Sequence, residues 1–204
     1  MTDYGWIDAS PPTSTAYLLP ATRHMLGDAR RVLDVGCGNG AVTAMLAQLG
    51  YDVVGVDASL DGIEIARSAF RNIRFEHVAA SEDMLEVLGE EPFDAVISLE
   101  VVEHVFDPHL WARACHNALT AEGLLVCSTP YHGYLKNAAL ALAGGFDEHW
   151  GPLRAGGHIK FWSRRTISQL LTESGFSVER FVGVGRLPYL WKSMVVGARP
   201  HISP

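Results

Sequence analysis

The sequence predicts a doubly wound α/β sheet, and three observations predict it. Short apolar runs alternate with helical patterns from about residue 31 to residue 130. A glycine-rich turn joins the first of these runs to the first of these helices. An acid, Asp57, closes the second run. Alternation of this kind with short turns demands parallel strands joined by right-handed crossovers.

The elements follow in order. Residues 1–12 carry Pro11-Pro12 and no periodicity, and read as an irregular arm. Thr13 to Leu26 suits a helix capped by Thr13 or Ser14, although Pro20 is a difficult interior residue. Arg31–Val35 is a strand. Gly40–Leu49 is a helix, with Val42, Met45, Leu46 and Leu49 at helical spacing and Gly50 as its stop. Val53–Asp57 is a β-branched strand and Leu60–Phe70 a helix. Ile73–Val78, Phe93–Leu99 and Leu124–Thr129 are further strands, separated by helices over Glu82–Leu88 and His109–Leu119. The rhythm then fails over residues 130–163, which contain Gly144-Gly145 and Gly156-Gly157 and read as an insertion, helical over Leu135–Ala143. A helix over Arg165–Ser174 and strands over Phe176–Val182 and Leu190–Ala198 close the pattern. We expect one domain over residues 1–204, with an N-terminal arm and helix over 1–28 and the insertion over 130–163.

Composition narrows the function. The formal net charge of −7 repels phosphate backbones and argues against a nucleic-acid substrate. Cys37, Cys115 and Cys127 are odd in number and widely spaced, so neither a disulfide framework nor a zinc ribbon is suggested. The start Met1-Thr2-Asp3-Tyr4 lacks the basic and apolar regions of a secretory signal. The longest apolar stretch, Ala138 to Gly145, is far short of a membrane span. The expected location is cytoplasmic.

The glycine turn is Asp34-Val35-Gly36-Cys37-Gly38-Asn39-Gly40. Glycines let the backbone turn sharply and let a ligand approach the main chain. The spacing is G-x-G-x-G with an acid two residues before the first glycine, whereas the dinucleotide fingerprint is G-x-G-x-x-G. The Asp34 charge disfavours a diphosphate and favours an ammonium group. S-adenosylmethionine has an amino group and no phosphate, so the charge logic prefers it to NAD. Asp57 stands where an acid accepts both ribose hydroxyls of a nucleoside. Its competing role is to cap the following helix, which Ser59 can do alone.

These two segments resemble motifs I and II of the class I S-adenosylmethionine-dependent methyltransferases, and Phe93–Leu99 with Leu119–Thr129 resemble the motifs at strands four and five. The resemblance implies a seven-stranded mixed sheet of order 3-2-1-4-5-7-6, with strand seven antiparallel and helices on both faces. It also implies S-adenosyl-L-methionine as cofactor. Asp34 would lie near the methionine amino group, Gly36 and Gly38 beneath the methionine and ribose, Asp57 on the ribose, Ala58 beside adenine, and Ala80 or Ser81 at the adenine edge. Cys37, Ser59, Leu99 and Glu100 complete the expected cofactor residues.

After strand four comes Glu100-Val101-Val102-Glu103-His104. If that turn is helical, Glu100, Glu103 and His104 share one face, where they could bind a divalent cation or use His104 as a general base. The E-x-x-E-H string resembles that of the quinone-biosynthesis O-methyltransferases, where it is associated with a divalent metal. The competing reading is acid enrichment at a helix N-terminus, and no metal ligand is assigned. The insertion leaves strand five over the expected methyl donor and holds three histidines and six aromatics, which suits a partly apolar or aromatic acceptor. Glu100, His104 and His132 are the candidate catalytic residues, His132 because it lies nearest the donor site in sequence. The expected activity is O-methylation of a small molecule. The rivals are an NAD(P)-dependent oxidoreductase on a similar sheet and a non-catalytic nucleoside-binding module.

Overall fold

The computed structural model describes residues 5–151, 153 and 156–201. Helix α1 (Thr15–Leu26) precedes a run of alternating elements: β1 (Arg31–Val35), α2 (Ala41–Gln48), β2 (Asp52–Asp57), α3 (Leu60–Ala69), β3 (Arg74–His77), α4 (Met84–Leu88), β4 (Phe93–Leu99), α5 (Pro108–Asn117) and β5 (Leu119–Pro130). Two helices follow, α6 (Tyr134–Leu142) and α7 (Phe146–Trp150). Then come α8 (Arg164–Glu173) and a hairpin of β6 (Phe176–Val184) and β7 (Ser193–Pro200).

The seven strands form one sheet in the order β3-β2-β1-β4-β5-β7-β6. Strands β1 to β5 pair in parallel, and β7 runs antiparallel between β5 and β6. Order and direction match those implied by the class I resemblance. The chain reverses its winding between β1 and β4, and an open α/β sheet opens its ligand crevice at that switch point.

Period-two alternation covers both faces of the sheet. On β5, Leu124 and Val126 pack with Leu18 and Met25 of α1 and Leu46 of α2. Leu125 and Cys127 point the other way, toward Trp111 of α5 and Ile167 and Leu171 of α8. Trp111 is fully buried, and its Nε1 donates to Ser98 Oγ at 3.1 Å, while Ser98 Oγ donates to the Val35 carbonyl at 2.7 Å. This chain of bonds ties α5 to the carboxyl ends of β1 and β4, where the crevice opens.

Several boundaries differ from expectation for local reasons. The last strand begins at Ser193 rather than Leu190, because residues 187–190 close a turn through Leu190 N and the Leu187 carbonyl, with Tyr189 in the left-handed region. β5 begins at Leu119, since Phe93 already pairs with Leu119 across a bulge. Helix α7 falls within the insertion, where only one helix was expected. Pro20 lies inside α1, and Ser14 stands at its N-cap without a side-chain cap bond.

Replacing Trp111 by Phe keeps the ring but deletes the indole donor. We expect a loss of about 1–3 kcal/mol in urea denaturation, and an unchanged midpoint would contradict the bond's role.

Candidate functional site

A cavity of about 970 Å³ opens over the carboxyl ends of β1, β2 and β4. Its floor is the glycine turn. Gly36 and Gly38 both have positive φ, and the packing at each excludes a side chain. A Cβ on Gly36 would stand 2.4 Å from Val101 Cγ2, and one on Gly38 would stand 2.3 Å from Trp6 Cζ2. The turn is pinned beneath by Gly36 N and Cys37 N, which donate to the Val56 carbonyl at 2.8 and 3.0 Å.

Asp57 ends β2 and binds the turn from the side. One carboxylate oxygen accepts from Gly38 N at 2.8 Å, and the other accepts from Ser59 N at 2.7 Å. Ser59 itself caps α3, accepting from Gly62 N at 3.3 Å. Asp57 is therefore not needed as that side-chain cap, and its remaining lone pairs are available to hydroxyls in the cavity. Burial raises its pKa against the pull of these amides. Asp34 also lines the cavity, is buried, and accepts from Thr43 Oγ1 at 2.6 Å. Burial pushes its pKa up to about 7, so a cationic group arriving beside it favours the ionised form.

Of the expected cofactor residues, Asp34, Gly36, Cys37, Gly38, Asp57, Ala58, Ser59, Ala80, Leu99 and Glu100 all line this cavity. Ser81 does not; its hydroxyl turns to the Ala79 carbonyl at 3.5 Å. The Cys37 thiol packs with Ile63, Ala66 and Phe75 under α3.

The segment after β4 is a turn, not a helix, closed by His104 N donating to the Val101 carbonyl at 2.9 Å. Glu100 has φ 58, a left-handed conformation unusual for its residue type. The two acids and the histidine therefore do not share one helical face. Glu100 instead accepts from Ser128 Oγ at 2.8 Å and Ser193 Oγ at 3.1 Å. Burial raises its pKa to about 7. Glu103 is buried, and its two carboxylate oxygens make no hydrogen bond among the described residues. Burial, reinforced by the Glu100 charge, pushes its pKa well up.

The insertion supplies the third member of the cluster. Ile159 N and Lys160 N both donate to the Glu103 carbonyl, at 2.9 and 3.1 Å, and stitch the returning segment of the insertion to the turn. That register sets the His158 ring 4.9 Å from His104. Glu103 Oε1 lies 3.9 Å from His104 Nε2 and 4.0 Å from His158 Nε2. Potential ligand atoms of Glu103, His104 and His158 lie within 4.8 Å of one another, a set that fits a divalent ion; Glu100 is not in it.

His132 is placed elsewhere. It is buried against Phe161 and His149, at ring distances of 4.9 and 5.4 Å, and lines neither this cavity nor the second one. Burial lowers its pKa to about 4. Nearness in sequence misled here, because His132 N donates to the Trp162 carbonyl and the ring joins the insertion's own aromatic packing. His158 and Trp6 are among the cavity residues that the sequence does not place at the site. His158 is brought in by long-range backbone bonds that leave no local pattern. Trp6 lies on the glycine turn, where Asn39 Nδ2 fastens the arm by donating to the carbonyls of Asp8 and Ser10 at 2.8 and 2.9 Å.

A second cavity, of about 750 Å³, lies between α6 and the β6–β7 turn. Glu100 and His158 line both cavities, so the two meet there.

Fold and site together define a Rossmann-like α/β protein with a crevice over the carboxyl ends of β1, β2 and β4, bordered by a glycine turn and two acids. A methyltransferase domain family model matches residues 12–180, and the chain belongs to that family. S-adenosylmethionine is the cofactor that goes with this membership, and the cavity is bordered by the glycine turn and by the two acids Asp34 and Asp57. The chain is 34% identical over 164 residues to a ubiquinone biosynthesis O-methyltransferase of Cereibacter sphaeroides, covering 79% of this chain and 66% of that protein. It is 35% identical over 150 residues to the enzyme of that name from Dinoroseobacter shibae, covering 71% of this chain and 59% of the relative. The chain thus spans less than two thirds of the length of these relatives. Among solved structures, a Pyrococcus horikoshii protein aligns with TM-score 0.71 at 20% identity, covering 96% of this chain and 94% of that one. An S-adenosylmethionine-dependent methyltransferase from Mesorhizobium loti aligns with TM-score 0.63 at 23% identity, covering 88% and 96%. These two likenesses bear on the fold alone.

The titration of Glu100 yields a test. Its folded pKa lies above the unfolded value, so the folded state holds the extra proton and stability falls as pH rises from about 4.5 to about 7. Glu100→Gln should therefore raise the thermal midpoint more at pH 8 than at pH 5. An equal shift at both would refute the buried, proton-holding carboxyl.

Proposed function

We propose that the protein transfers the methyl group of S-adenosylmethionine to an oxygen of a partly apolar or aromatic small molecule. The carrying observation is the junction of the two cavities at Glu100 and His158, beside His104, which places acid–base groups between a donor chamber and a second chamber. The names of the curated relatives support oxygen as the nucleophile. The net charge of −7 supports a small acceptor rather than a nucleic acid. No helix among the described residues is long and apolar enough to cross a membrane, and the three cysteines are free and buried, which supports a cytoplasmic location.

When bound, the cofactor supplies an electrophilic methyl group with a good leaving group already attached to it. The protein's work is therefore alignment and proton removal. Asp34 receives the amino group, and Gly36, Gly38 and Asp57 seat the methionine and ribose. Ala58 and Ala80 flank adenine, with Leu99 and Glu100 closing the reactive end. His104 is the base. Its Nδ1 lies 3.2 Å from the Gly157 carbonyl, which favours the tautomer that donates there and leaves Nε2 to take the acceptor proton. The imidazolium so formed lies beside the buried Glu103 carboxyl, at 3.9 Å, and its charge favours the ionised form of that group. A divalent cation on Glu103, His104 and His158 would offer a second route to the same end, by lowering the pKa of an acceptor hydroxyl. His132 acts within the aromatic core of the insertion over residues 130–163, which forms the acceptor side of one methyltransferase domain.

Incubation with S-adenosylmethionine labelled with ¹³C at its methyl group, against a panel of catechols and phenols, tests this reading by NMR. The expected product is a labelled methoxy group. His104→Ala should lower kcat about a hundredfold while leaving the donor KM within about twofold. Label on nitrogen or carbon, or full activity in the variant, would overturn it.

A further inference from the structure

The second cavity carries charge that the methyl transfer described above does not use. Lys136, Ala139 and Leu140 of α6 and its C-cap Ala143 line it at spacings of three, four and seven residues, so one helical face presents a small apolar surface headed by an ammonium group. Tyr134, Leu135 and Leu142 stand on the exposed remainder of the helix. The facing wall is the β6–β7 turn, with Leu187 and Leu190 beside Arg186 and Lys192.

Lys136 is the unusual member. It is 6% exposed, and its Nζ makes one hydrogen bond among the described residues, to the Lys192 carbonyl at 3.3 Å. Two of its three donors are left over. No carboxylate of the described residues lies within ion-pair distance of Lys136, Arg186 or Lys192. Burial and the Arg186 charge lower the Lys136 pKa to about 8, against the opposing pull of Glu100. His149, which also lines the cavity, is pushed down by burial and then by Lys136 and Arg186. These groups thus sense one another across a shared space. Lys192 sits with its Nζ 5.5 Å from the centre of the Tyr17 ring, so part of its charge is already answered. A buried ammonium without a counter-ion is costly, and a ligand anion is the partner that satisfies it.

We infer that this cavity is the acceptor chamber and that it selects an apolar molecule carrying an anionic group, the anion held by Lys136 and Arg186 and the apolar body lying along α6. The inference rests on the methyltransferase reading, since it assigns the acceptor to the chamber that meets the donor at Glu100 and His158. Charge-assisted hydrogen bonds to a buried cation are strong enough to dominate selection among apolar ligands of equal size.

Calorimetric titration of the full chain, saturated with S-adenosylhomocysteine, uses octanoate, 1-octanol and octyltrimethylammonium as probes. Octanoate should bind at least about tenfold more tightly than either of the others. Lys136→Met should weaken octanoate about tenfold and leave S-adenosylhomocysteine affinity unchanged, and Arg186→Ala should weaken octanoate several-fold. Arg186 is exposed, so its variant carries the test even if Lys136→Met fails to fold. Equal binding of octanol and octanoate, or octanoate affinity indifferent to the substitutions, would overturn the inference. Absence of octanoate binding alongside normal S-adenosylhomocysteine binding would also overturn it and leave the donor site standing. Failure of S-adenosylhomocysteine to bind would remove the donor reading, and the acceptor assignment with it.

Discussion

The Asp57 carboxylate, held by the amides of Gly38 and Ser59, is the constraint on which the site depends. It joins the end of β2 to the glycine turn that follows β1, so the two strands present one continuous edge to a ligand. Glycine at 36 and 38 is what permits this closeness, because Val101 and Trp6 occupy the space that any Cβ would need. The cost is a half-buried acid whose ionised form is held against desolvation by backbone donors. A ligand with two adjacent hydroxyls adds donors to the same oxygens and reduces that cost.

The donor half of the site was legible because it is local. A turn, the acid behind it and the acid at the next strand tip lie within 24 residues of sequence, Asp34 to Asp57, and each has a reason that short-range backbone geometry supplies. Sheet order was legible through the alternation of elements and the family resemblance. The acceptor half was read less well. Glu100, Glu103 and His104 share one face only if their turn is helical, and the chain instead takes a left-handed step at Glu100 and sends that side chain to Ser128 and Ser193. His158 joins His104 through backbone bonds spanning more than fifty residues, which no periodicity reveals. His132, favoured for its place in sequence, is folded into the aromatic packing of Phe161 and His149.

The second chamber differs from the first in the polarity of its lining. The donor cavity is lined by acids, Asp34 and Asp57, suited to a cationic cofactor with hydroxyls. The adjoining chamber is lined by cations and apolar side chains. Glu100 stands between them, hydrogen-bonded to two serines and protonated over much of the acid range. On the proposed assignment of the two chambers, opposite polarities on either side of Glu100 would orient donor and acceptor by charge.

The most direct measurement is calorimetric titration of the chain with S-adenosylmethionine, repeated on Asp57→Ala and Asp57→Asn. Binding in the micromolar range, weakened about a hundredfold or more in Asp57→Ala while both variants keep a cooperative thermal transition, is the result this account predicts, since two charge-assisted hydrogen bonds are lost. Equal affinity in the well-folded Asp57→Ala chain, or no binding to the parent protein, would contradict it.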